Sequence, residues 1–100
     1  MQVDMCVAHF AAWLHTKPAR ERYKYDNSWR CATAQYLKAH GFTNVMSASA
    51  VAYGTRKDNV TIAMSIPMDV TRALINASDS SGWTRWGDAA KAMKLVLART

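Results

Sequence analysis

An α+β domain, with helices packed on a two- or three-stranded antiparallel sheet in the order ααββαα, is the architecture this sequence predicts. Three observations carry it. Apolar residues recur at helical spacing through the first forty residues, the period switches to two after Gly41, and helical spacing returns after Pro67. One hundred residues suffice for one domain with a single core, residues 1–100.

The first helix is expected from about Asp4, a plausible cap, to His15. Cys6, Val7, Phe10, Trp13 and Leu14 fall on one side, and Met5, His9, Ala12 and Thr16 on the other. Pro18 ends the pattern. Residues 17–25, KPARERYKY, read as a basic connection. The central helix is expected over Asp26–Gly41, capped by Asp26, Asn27 or Ser28 and stopped by Gly41 in a left-handed turn. Trp29, Ala32, Thr33, Tyr36, Leu37 and His40 share one of its faces, and so few polar positions imply a helix covered on most sides.

Val45, Ser47, Ser49, Val51 and Tyr53 then alternate with Met46, Ala48, Ala50 and Ala52, as one strand. A turn over Gly54–Asn59 leads to a second strand in which Val60, Ile62, Met64 and Ile66 alternate with Thr61, Ala63 and Ser65. A lone hairpin is marginal in water, so it must pack on the helices or gain a strand, and a second copy can supply one across an exposed edge. Pro67 opens a third helix with Asp69 in its first turn and Val70, Ala73, Leu74 and Ala77 as its stripe. After the loop SDSSG, Thr84 is placed to cap a final helix over about Arg85–Ala98, lined by Trp86, Ala89, Ala90, Met93, Val96 and Leu97.

The 13 Lys and Arg against 7 Asp and Glu give a net charge of +6, which favours an acidic partner. Asp4 interrupts the N-terminus early, and no apolar run approaches the roughly 20 residues of a membrane span. The expectation is a cytoplasmic protein with no membrane contact and with Cys6 and Cys31 reduced.

Cys31 is the most conspicuous reactive group. The first turn of a helix favours thiolate, but a nucleophile needs a base. His40 lies nine residues on, about 13 Å along the axis and nearly opposite. His9 or His15 can approach only through tertiary packing, and the competing reading is a small buried cysteine. A cysteine-dependent enzyme is therefore the lesser alternative. For a metal, Cys6 and His9 stand three apart but need Cys31 and another histidine, and no pair has zinc-finger spacing. The acidic residues do not pair for acid–base work. The expectation is no catalytic residue, no metal and no cofactor.

Basic and aromatic side chains interleave from Lys17 through Arg20, Arg22, Tyr23, Lys24, Tyr25 and Trp29 to Arg30. Cations contact phosphates and flat rings stack bases; the alternative is a solvated connection whose tyrosines face the core. Arg56 and Lys57 at the hairpin tip, and Lys91 and Lys94 on the last helix, add charge. Trp13, Trp29 and Trp86 lie on apolar stripes and are expected in the core. Trp83 is either an exposed anchor or a staple at a helix start. Lys17, Arg20, Arg22, Tyr23, Lys24, Arg30, Arg56, Lys57 and Trp83 are the expected binding residues.

Within this stretch Lys17, Pro18, Tyr23, Tyr25, Asp26, Asn27, Cys31, Ala32, Ala34, Gln35, Tyr36 and Leu37 form a pattern similar to that of small uncharacterised proteins carried by bacteriophages and prophages. The resemblance covers about a quarter of the chain, ends by Gly41 and brings no catalytic residues. It implies a short accessory protein that binds a host factor in the host cytoplasm, a class that includes anti-CRISPR inhibitors. The partner expected is an acidic host protein or a nucleoprotein complex, with direct DNA or RNA binding as the alternative. The protein itself is expected as a monomer or a homodimer joined through a strand edge.

Overall fold

The computed structural model describes residues 1–99. The α+β class holds, but the element order is richer than expected. It runs β1 (Gln2–Asp4), α1 (Val7–Leu14), β2 (Arg22–Lys24), α2 (Ala32–Ala39), β3 (Thr43–Ser47), β4 (Val51–Thr55), β5 (Thr61–Ser65), α3 (Met68–Ala77), β6 (Trp83–Arg85) and α4 (Trp86–Ala98).

Two sheets replace the single hairpin. The larger has the order β1-β5-β4-β3, with β1 parallel to β5 and the other pairs antiparallel. The alternating stretch 45–53 is two strands, because the chain reverses over residues 48–50, where Ala48 N–H donates to Val51 O. The reversal flips the faces. Val45 and Ser47 point inward on β3, whereas Ala52 and Gly54 do so on β4, leaving Met46 and Tyr53 outward. The second sheet pairs β2 with β6, Tyr23 opposite Thr84. Both strands are three residues long, too short for a period to register.

α1 and α2 are shorter than their apolar periodicity implies. Residue 6 is the N-cap of α1 and Cys6 is exposed, so the core stripe is Phe10, Ala11 and Leu14. Residues 26–31 are turns, not helix. The Asn27 carboxamide oxygen accepts from the amides of Trp29 and Arg30 at 2.9 and 3.1 Å, which holds the chain in a local Asx turn. This removes Trp29 from the expected face, and it stands 62 % exposed. At the far end Gly41, at φ +90°, ends α2 as expected. Pro67 is the N-cap of α3, and Val70 and Leu74 are buried along it. Thr84 is a buried strand residue; Arg85 is the N-cap of α4.

One hydrophobic core joins the layers. α2 packs on β3 and β4, and α4 packs on both α1 and α3. Phe10, Leu14, Val70 and Met93 are fully enclosed. Trp13, Tyr23 and Trp86 meet ring to ring, with Tyr23 and Trp86 centroids 4.3 Å apart. No helix among the described residues is long and apolar enough to cross a membrane.

Candidate functional site

The β2–β6 ribbon organises the basic segment. Its ladder extends past the strands: Tyr25 N–H donates to Gly82 O, Trp86 N–H to Glu21 O and Gly87 N–H to Ala19 O. Alternation then sorts the side chains. Tyr23 and Thr84 face the core, and Arg22, Lys24, Trp83 and Arg85 share the outer face.

On that outer face Arg22 stands directly opposite Arg85. Like charges in this position repel. Arg85 is also the N-cap of α4, at the positive end of the helix dipole. Among the described residues neither guanidinium has a carboxylate within 4.0 Å. Asp26 and Asp79 lie at the other end of the ribbon. Asp26 is 3.5 Å from the Lys24 ammonium, which also donates to Ser81 O and sits 5.1 Å over the Trp83 ring. Asp79 accepts from the Trp83 and Ser81 amides, and these bonds hold its carboxyl below the usual range, with Arg22 and Lys24 adding attraction.

The expected binding residues therefore divide. Arg22, Lys24 and Trp83 come together, joined by Arg85, whose strand partner no periodicity could reveal. Arg20 is exposed just before β2, and Arg30 is exposed in the turn before α2. Tyr23 is core, only 2 % exposed, and Tyr25 packs against the core. Lys17 lies 5.4 and 5.0 Å from the rings of Trp13 and Trp86, capping the aromatic cluster. Arg56 and Lys57 line a cleft with His40 and Gly41, at the end of α2 remote from the ribbon, and Arg56 is paired with Asp58 at 2.8 Å. Lys91 borders the groove between α3 and α4.

Cys31 is the N-cap of α2 and 8 % exposed. Its sulfur is 3.4 Å from Thr33 Oγ1, which is 2.5 Å from Ser47 Oγ, and Ser47 Oγ donates to Ala48 O at 3.3 Å. These contacts link the thiol, two hydroxyls and the Ala48 carbonyl in one chain, in which the carbonyl can only accept. The thiol thus contacts a hydroxyl, not an imidazole. Two histidines gather at the opposite end of α2, where His9 Nδ1 is 2.5 Å from Tyr36 Oη and His40 Nδ1 donates to Tyr36 O at 2.7 Å. Their rings are 5.1 Å apart. Among the described residues no three His, Cys, Asp or Glu side chains are grouped to hold a metal ion.

No protein-family model, curated protein or solved structure matches this chain.

Proposed function

We propose that this chain is a non-catalytic binding protein that attaches to an acidic surface of a larger host assembly, in the manner of a phage-encoded inhibitor such as an anti-CRISPR protein. The supporting observation is the Arg22–Arg85 pair, opposed across the ribbon with no carboxylate within 4.0 Å among the described residues and beside the exposed indole of Trp83. A carboxylate-rich partner would give both guanidiniums ion pairs, and steering by the +6 net charge speeds its encounter. The resemblance of residues 17–37 to phage and prophage accessory proteins points the same way.

The separating variant is Arg85→Glu. It converts the repelling pair into an attracting one and places an acid at the start of α4, so the fold should gain about 0.5–1 kcal/mol. Binding should nevertheless collapse. Capture from a nuclease-treated bacterial lysate by the parent chain, lost with Arg85→Glu and with Arg22→Glu, is the expected result. Equal capture by all three rejects the ribbon as the contact surface. Capture that depends on intact nucleic acid instead favours the direct DNA- or RNA-binding alternative, for which log affinity falls linearly with log salt.

A further inference from the structure

The outer face of the larger sheet stands open. Met46 and Tyr53 point away from the core and are 48 % and 43 % exposed. The register puts them in one row, with Met46 opposite Tyr53, Tyr53 opposite Ala63 and Ala63 opposite Gln2. The row crosses all four strands, and on the same face the Gln2 carboxamide donates to Ser65 Oγ at 3.2 Å. The face is also nearly without charge. In β1, β3, β4 and β5 the one charged side chain is Asp4, on the edge strand, although 20 % of the chain is charged. None of the 13 Lys and Arg lies on these strands. A sheet face that meets only water turns polar residues outward. This one sets a methionine, a tyrosine and an alanine side by side at its centre, as contact surfaces do.

We propose that this face binds a second copy of the chain, sheet against sheet. Charge selects that occupant. An acidic protein or a nucleic acid finds no cation here to pair with. Two copies carrying +6 each repel through their basic surfaces, and this is a face on which they meet without opposing cations. The strand edges serve less well. β1 is three residues long, and β3 is irregular between Thr43 and Met46. The outer edge of β3 is also in use, since Ser47 N–H donates to Ser28 O at 2.8 Å. A two-fold axis along the Met46–Tyr53–Ala63–Gln2 row makes the contact isologous. Each residue of the row then lies over its own copy, Tyr53 on Tyr53 and Met46 on Met46, while Val51 lies over Thr55 and Ser65 over Thr61. Four strands of up to five residues give a face of roughly 15 by 17 Å. That is at the low end of interface sizes, so the dimer forms at high concentration and dissociates on dilution.

The test is sedimentation velocity of the full chain from micromolar to millimolar concentration, with amide spectra of the ¹⁵N-labelled chain over the same series. A monomer–dimer transition is expected, with concentration-dependent shifts at Met46, Tyr53 and Ala63 and none at Arg22 or Arg85. Tyr53→Lys sets two like charges on the axis and should raise the dissociation constant roughly tenfold or more. Met46→Lys, on the edge strand, should weaken association independently, and Tyr53→Phe should associate as the parent does. A chain that stays monomeric throughout the series, shifts confined to other surfaces, or unchanged association in both lysine variants overturns the proposal.

Discussion

Tyr23 shows how little a side chain's type says about its duty. Its ring belongs to the aromatic core, and its hydroxyl is buried there beside Thr84. Burial pushes the phenol far above its ordinary value of 10.0. A raised acid contributes stability that is complete below the unfolded value and lost as pH rises through the folded one. The protein should therefore lose stability progressively above pH 10, and Tyr23→Phe should flatten that loss in alkaline denaturation. Cys31 is the opposite case: a residue suggestive of chemistry that is buried at the head of α2, against a chain of hydroxyls ending on a carbonyl.

The ribbon depends on its closing turn. Gly82 sits at φ +83°, and a Cβ there would meet the Asp26 carboxylate oxygen at 2.6 Å. Gly82→Ala should therefore cost roughly 1–2 kcal/mol for a left-handed alanine, with the exposed Asp26 carboxylate displaced, and should loosen β2–β6 first, seen as faster amide exchange at Tyr25. The β4–β5 tip is held by charge instead. The Arg56 guanidinium, helped by the Val60 amide, keeps Asp58 below its ordinary 3.8. That contribution is present above pH 3.8 and is lost as pH falls through the lowered value. Acidification should free the tip while the core amides stay protected, and Asp58→Asn should abolish the transition.

Across the molecule, the aromatic cluster ties the ribbon to α1 and α4. Trp86 touches Tyr23 and Trp13 and is covered by Lys17. Its truncation, Trp86→Ala, should cost about 3–5 kcal/mol by chemical denaturation. It should also disorder the basic face, because Arg85 and Trp86 are consecutive. The same architecture scatters the cations. The hairpin tip and the ribbon lie at opposite ends of α2, a separation of about 12 Å along an eight-residue helix. The cations are thus divided among the ribbon, the hairpin tip and the groove between α3 and α4.

Long periodic segments were legible from the start. Phe10 and Leu14, Val70 and Leu74, and Ala89, Met93 and Val96 each repeat at the spacing of a buried helical face, and Ile62 and Met64 at that of a strand. These are local regularities, dictated by which side of an element can leave water. The three-residue strands were not legible, nor was the reversal at residues 48–50, because neither lasts long enough to impose a period. Trp29 was misplaced for a related reason: a single Asn27 carboxamide, satisfying two amides, outweighed the apolar pattern and kept the turn out of the helix. The pairing of Arg22 with Arg85 joins residues 63 positions apart. Nothing within reach of either along the chain encodes the other; folding brings them together, because only a closed ladder satisfies the backbone groups of both strands.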